Sequence, residues 1–375
     1  MICTHRPPCP GCPRFGERGI AEPARRSLNE LAERHGLPPV PMVSGQMTGF
    51  RQRARLAIRG RVNSPKLGLF ELGTHHVVHI PSCIVQHPLI NRVAGVVRKA
   101  LVDAQVTPYS DSAHLGHARY LQVVIERSSQ TAQVVLVGNS ADPEPFVACM
   151  DLIRQRLGAD LHSLWWNGNR ERVNTILGPE FQRFFGPESV VEHFGGNAVH
   201  YPPGAFGQNN LDIAERIIEH VRGELEPGSR VAEFYAGVGA IGLSVLERVS
   251  ELRLNELSPH SLHGLSLGLD ELAPAERAKI SVQVGPAGQA RALAAGADVV
   301  IADPPRKGLD PELTALLCEE PPARFVYVSC GLESFLSDSE RLFASGKLRL
   351  SALKAFNLMP FTDHVETVAR FERVR

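Results

Sequence analysis

A glycine turn between a short apolar strand and a helix restricts the fold of this chain more than any other feature. The run Glu233-Phe234-Tyr235-Ala236-Gly237-Val238-Gly239-Ala240-Ile241-Gly242 contains GxGxxG, after the strand-like run Arg230–Phe234 and before a predicted helix Ala240–Val249. Such glycines permit a tight turn and bring backbone N–H groups close to a ligand at the helix N-terminus. Glu256 stands 19 residues beyond Gly237, at the end of the next predicted strand, where a carboxylate can accept hydrogen bonds from ribose hydroxyls. A helix Leu211–Arg222 and strands near Glu251–Asn255, Asp298–Ala302 and Arg324–Val328 continue an alternating pattern. Short apolar strands separated by helices imply an α/β fold with a parallel, doubly wound sheet. The turn alone suits NAD and S-adenosylmethionine equally, and a tight βα turn with an exposed Glu would produce the same letters.

Two later features add chemistry. Asp303-Pro304-Pro305-Arg306 follows a predicted strand, and its prolines end the pairing and hold Asp303 at the carboxyl edge of the sheet, where open α/β folds bind ligands. Val326-Tyr327-Val328-Ser329-Cys330 ends the next strand in a cysteine on that same edge. A cysteine at a strand end is usually a small buried hydrophobe, but three candidate functional residues on one edge argue against that reading. An NAD-dependent oxidoreductase on the same glycine turn would leave Cys330 without a role.

Upstream, residues 20–36 read as a helix, with strand-like runs at Arg55–Ile58 and His76–Ile80 and a helix at Leu89–Ala104. Tyr120–Glu126 and Ala132–Val137 flank the polar turn Arg127–Gln130 as a hairpin, a helix follows near Glu144–Leu157, and Tyr201–Gly207 reads as a linker. The expected divisions are residues 1–90, a central α/β domain over 91–195, and the last domain over 196–375. Net charge is zero, yet Gln46 to Lys66 holds Arg51, Arg53, Arg55, Arg59, Arg61 and Lys66 and no acidic residue. A basic stretch without counter-charge suits phosphate contacts, or a solvated basic face. Residues 1–13 show no apolar signal region, and no run approaches the ~18 apolar residues that span a bilayer. The expectation is a cytoplasmic protein with no membrane partner.

Seven cysteines, an odd number, are better evidence for metal ligation or a reactive thiol than for disulfides. Cys3, Cys9 and Cys12, with the distant Cys83, suit zinc or an iron–sulfur cluster on spacing alone. Cys149 and Cys318 fall in predicted helices and are expected to be packing residues.

In combination, Phe206-Gly207-Gln208-Asn209-Asn210, the glycine turn, Asp303-Pro304-Pro305-Arg306-Lys307-Gly308, Ser329-Cys330 and His364-Val365-Glu366 resemble the RNA uracil-C5-methyltransferases. The resemblance runs in order through residues 196–375 and implies a Rossmann-like methyltransferase domain that binds S-adenosylmethionine. It implies Cys330 as the nucleophile that adds to uracil C6 and Glu366 as the base that removes the C5 proton. On the residues alone, Asp363 or His364 could equally be that base, or Glu366 could lie on a helix surface. Gln208, Glu233, Tyr235, Gly237, Gly239, Glu256 and Asp303 are implied as cofactor contacts. The Cys3-x5-Cys9-x2-Cys12 spacing with Cys83 resembles the four-cysteine [4Fe–4S] site of the 23S rRNA branch, in its shorter form without an extra N-terminal β-barrel. That points to 23S rRNA as partner, with tRNA as the alternative and no obligate protein partner. The sequence departs from the family at Gly331-Leu332, where Asn-Pro is usual, at Glu233, a longer carboxylate, and at Val284-Gly285-Pro286-Ala287, which lacks an acidic residue.

Overall fold

In the computed structural model, which describes residues 1–374, the glycine turn sits at the middle of an eight-stranded sheet. Across that sheet the order is Met42–Val43, Leu348–Phe356, Glu366–Arg373, Arg324–Ser329, Val299–Ala302, Ser229–Phe234, Val249–Glu256 and Ile280–Val284. The last five are mutually parallel, as the alternating pattern predicts. Glu366–Arg373 runs antiparallel to both its neighbours, so the sheet is mixed rather than wholly parallel. From Ser229–Phe234 the chain moves outward through two strands and then returns to place Val299–Ala302 on the other side. That reversal is a topological switch point, outside whose strand ends α/β sheets hold their ligands.

Burial on both faces explains the apolar strands. All four residues of Val299–Ala302 are buried, and Phe234, Val300, Phe325, Tyr327 and Phe371 pack with Leu28 and Leu31 of the helix Glu22–Arg34. The helix Leu211–Gly223 buries Ala214, Ile217, Ile218 and Val221 at helical spacing. The helix expected over Ala240–Val249 is only Ala240–Ser244, followed by a 3-10 turn Leu246–Arg248 and a strand from Val249. Ser244 Oγ donates to the Ile241 carbonyl at 2.6 Å, a local bond that competes with helix continuation.

The chain packs as two compact units, each gathered from separated stretches. One comprises Met1–Pro13, Gln46–Glu192 and Pro202–Asn210; the other comprises Arg14–Gly45, His193–Tyr201 and the chain from Leu211 onward. The first unit holds a seven-stranded sheet in the order Val77–His79, Ser64–Phe70, Arg53–Arg61, Ala118–Glu126, Thr131–Gly138, Leu161–Gly168, Glu180–Phe185. Its predicted hairpin is present in antiparallel register. Helices Pro88–Asp103 and Val147–Leu157 cover one face, with Val93, Val97, Leu121, Val134 and Cys149 in a shared core. Cys149 is fully buried, as expected, whereas Cys318 is half-buried in the helix Pro311–Glu319.

The segment expected as a linker, Tyr201–Gly207, is tied down by side chains: Arg53 donates to the Ala205 carbonyl at 2.8 Å, and Gln122 donates to that of Pro203 at 2.7 Å. The six basic residues do not make one exposed stripe. Arg53 and Arg59 are buried, and Arg59 forms a two-pronged pair with Asp111 at 2.5 and 2.8 Å. Arg55, Arg61 and Lys66 remain exposed. Arg53, Arg55, Arg59 and Arg61 share the face of their strand opposite the core residues Ala54, Leu56 and Ile58, so what divides them is cover from other parts of the unit and not the alternation of the strand. No helix among the described residues is long and apolar enough to cross a membrane.

Candidate active site

The glycine turn takes the form its letters require. Gly237 and Gly239 have φ of +60° and +85°, and Gly239 precedes the short helix. Tyr235 also has a positive φ of +60°. Gly237 donates its N–H to Glu256 Oε2 at 2.7 Å, while Leu257 and Ser258 donate to Oε1 at 2.8 and 2.6 Å. The Glu256 carboxylate therefore ties the turn to the end of the next strand. Asn255 donates to the carbonyls of Gln283 and Gly285 at 3.1 and 2.9 Å, fixing the loop after the following strand. Leu257 and Val284 stand exposed beside it.

Glu233 is buried beneath the turn, and its Oε2 has no hydrogen-bond partner. A Cβ at Gly242 would lie 2.4 Å from that oxygen, so the third glycine of the motif is what admits the carboxylate. Burial drives the Glu233 carboxyl well above its usual range, with Asp303 and Glu256 adding to the effect against a backbone bond from Gly242. Asp303 lies across the switch point and keeps some exposed surface; burial of its carboxyl raises it to about 7.

Cys330 follows the strand Arg324–Ser329 and is half-buried. Burial pushes its thiol up to about 11, with Glu366 and then Asp303 adding to the rise and Arg306 opposing it. Glu366, buried, opens the strand Glu366–Arg373 and is itself driven well above the carboxylate range by burial and by Asp303, against Arg306. Glu366 thus lies on a buried strand end and not on a helix surface. Of the other two candidates for its role, Asp363 is exposed and paired with Arg14, and His364 Nε2 is 3.1 Å from Arg306 Nη2.

The structure therefore brings Glu233, Gly237, Gly239, Glu256, Asp303, Cys330 and Glu366 to one edge of one sheet. Tyr235 serves that edge indirectly, its hydroxyl accepting from the Asp310 N–H at 3.0 Å. Gln208 belongs to the other compact unit. Sequence reasoning missed Asp338, which is buried on the helix Leu332–Ala344 and accepts from the Leu309 N–H at 2.9 Å and the Tyr327 hydroxyl at 2.7 Å. It also missed Ser334, which donates to the Arg306 carbonyl at 2.9 Å. A carboxylate at helical spacing between Phe335 and Leu342 was the available signal for Asp338.

In the first unit, Cys12 is pushed up to about 11 by burial and by Cys83, Cys9 and Cys3 around it. Asn91 clamps Cys83 through both its N–H and its carbonyl, at 3.1 and 3.0 Å. The four thiols are neighbours, but among the described residues no three His, Cys, Asp or Glu side chains are arranged as a metal-ion site.

Residues 294–374 match the family described as tRNA (Uracil-5-)-methyltransferase. The chain is 34% identical over 385 residues to an uncharacterized RNA methyltransferase of Protochlamydia amoebophila, covering 100% of this chain and 98% of that one. It is 26% identical over 387 residues to another from Halalkalibacterium halodurans, covering 96% and 81%. The fold resembles that of Pyrococcus abyssi tRNA (uracil-54, C5)-methyltransferase in complex with S-adenosyl-L-homocysteine, with a TM-score of 0.75 at 24% identity over 93% of this chain and 81% of that one.

Proposed function

The chain belongs to the RNA uracil-C5-methyltransferase family, and from that premise we propose that it methylates C5 of a uridine in 23S rRNA through a covalent adduct at Cys330. It is an S-adenosylmethionine-dependent RNA methyltransferase with a mixed α/β Rossmann-like fold. The observation that carries the proposal is the placing of one thiol, Cys330, and two carboxylates, the buried Glu366 and the partly exposed Asp303, at neighbouring strand ends beside the glycine turn.

Uracil C5 is too weak a nucleophile to take a methyl group unaided, and covalent catalysis removes that barrier. As Cys330 sulfur bonds to C6, its proton passes to solvent and the ring becomes an enolate. C5 of the enolate takes the methyl group from the sulfonium. Glu366 then accepts the C5 proton, and the electrons of that C–H bond re-form the C5=C6 bond and expel the thiolate. A base with a raised pKa is well matched to this last step. Arg306 offsets the cost of a thiolate forming among carboxylates. Glu256 suits the ribose hydroxyls, Leu257 and Val284 suit the faces of an adenine, and Asp303 and Glu233 suit a cationic sulfonium. Gly237 and Gly239 shape the turn that admits the cofactor, Tyr235 supports the loop beyond Asp303, and Gln208 is proposed as a further contact. A base enclosed in this way must leave its stack.

Cys3, Cys9, Cys12 and Cys83 suit a [4Fe–4S] cluster by donor chemistry, four thiols, while the one imidazole among them, His5, is engaged by the Ser82 hydroxyl at 3.3 Å. When bound, such a cluster would pin the N-terminal segment to the loop bearing Cys83. A tRNA uridine is the second reading, favoured by the description of the family matched at residues 294–374. Mapping 5-methyluridine in 23S rRNA and tRNA, from cells with and without the gene, tests both. Loss from one 23S position alone supports the proposal, loss from tRNA alone transfers it to the second reading, and no loss overturns both.

A further inference from the structure

Residues 357–365 join the strands Leu348–Phe356 and Glu366–Arg373, and Glu366 stands at their exit, paired with Phe356. Phe361 within this loop has φ +65°, a left-handed conformation that is strained for a residue with a side chain. Such strain persists only where the surroundings impose it.

Two residues from the start of the chain supply that restraint. The Arg14 backbone N–H donates to the Phe361 carbonyl at 2.9 Å, and Arg14 Nε donates to Asp363 Oδ1. The Phe15 ring lies 5.1 Å from that of Phe361, tilted by 45°. Phe361 is buried and Phe15 half-buried, while Asp363 is exposed. An exposed ion pair holds weakly, so the backbone bond and the ring contact carry most of the restraint. The hold acts on the strained residue itself, five positions before Glu366. Arg14 and Phe15 belong to the same compact unit as the loop.

We propose that Arg14 and Phe15 are positioning residues for the reaction, holding the 357–365 loop so that the Glu366 carboxylate stands where it can take the C5 proton. The inference rests on the reading of Glu366 as the base. Neither residue touches a reacting atom, so the loss should fall on adduct resolution and spare methyl transfer.

The test uses the full chain, labelled S-adenosylmethionine and the RNA whose 5-methyluridine is lost with the gene. Single-turnover reactions separate methyl incorporation from release of RNA from the covalent adduct, and Glu366→Gln serves as the reference. Phe15→Ala is expected to slow release by about 10–10²-fold, the usual cost of misplacing a catalytic group by an ångström or less. Methyl incorporation and cofactor affinity stay near wild type, and Phe15→Tyr, which keeps the ring, restores release. Should Phe15→Ala fail to fold, Arg14→Pro, which removes the N–H donated to the Phe361 carbonyl, carries the test through a slowing of the same step. Normal release in both variants overturns the proposal. So does an equal fall in both steps that Phe15→Tyr does not repair, because that marks a purely structural role. If Glu366→Gln itself releases RNA normally, the base assignment fails, and the proposal fails with it for a separate and recognisable reason.

Discussion

Gly331, directly after the candidate nucleophile, shows how little space that turn leaves. A Cβ there would lie 2.6 Å from Ser334 Oγ and 2.7 Å from the Arg306 carbonyl oxygen. The backbone contact cannot yield by rotation of a side chain. Gly331→Asn, which restores the residue usual in the family, should therefore push the Arg306 loop away from Cys330 and lower single-turnover methylation by about 10²-fold. Equilibrium binding of S-adenosylmethionine should stay near wild type, and a variant as fast as wild type would show that the turn relaxes freely. Asp303 supports a second prediction. A cationic ligand binds its ionised form, and burial raises that carboxyl to about 7. Below pH 7, binding must first expel a proton, so affinity should fall by up to about tenfold per pH unit and level off above pH 8. Calorimetric titrations from pH 6 to 8 read this directly, and a flat profile would remove Asp303 from the cofactor site. At this scale the sequence was informative, because Asp303 and Cys330 each end a strand, and strand ends on one edge of a parallel sheet converge whatever the intervening loops do.

Elements were legible where their periodicity was clean. Four of the parallel strands, the hairpin of the first unit and the helices Leu211–Gly223 and Glu22–Arg34 stand close to where their patterns put them, while Ile280–Val284 was not located. The closing strand Leu348–Phe356 was not visible, and its residues show why. Leu348, Leu350, Leu353, Ala355 and Phe356 are all buried, a spacing that mixes periods of two and three. The register shift between Leu350 and Ala352 is the bulge that reconciles the two. Without that strand the surroundings of Glu366 could not be read, which is why a helix-surface position stayed open. The helix Leu332–Ala344 has a use its pattern did not reveal, for Asp338 anchors the loop after Asp303. Asp338→Ala should lower unfolding stability by about 3 kcal/mol, since it leaves the Leu309 N–H and the Tyr327 hydroxyl buried without their acceptor. Denaturant unfolding measures this, and a change within error would show that water replaces the carboxylate.

For the whole molecule, the two compact units interleave along the chain, and no compositional boundary marks where one yields to the other. The first thirteen residues belong with residues 46–192, whereas residues 14–45 belong with the large mixed sheet. The cysteine set predicts a property of the intact protein. Purified without oxygen it should hold about four irons per chain, and Ser at Cys3, Cys9, Cys12 or Cys83 should lose them and lower thermal stability, because metal binding is coupled to folding. One zinc without sulfide would contradict the cluster. The proposed reaction runs through a bond between Cys330 and uracil C6 that Glu366 allows to be undone. Glu366→Gln, incubated with its RNA and labelled S-adenosylmethionine, should accumulate a protein–RNA adduct that survives denaturing electrophoresis, with peptide mapping placing a methylated uridine on Cys330. Addition of Cys330→Ala to that variant should abolish it. A label on any other residue, or an adduct that persists without Cys330, would contradict the account.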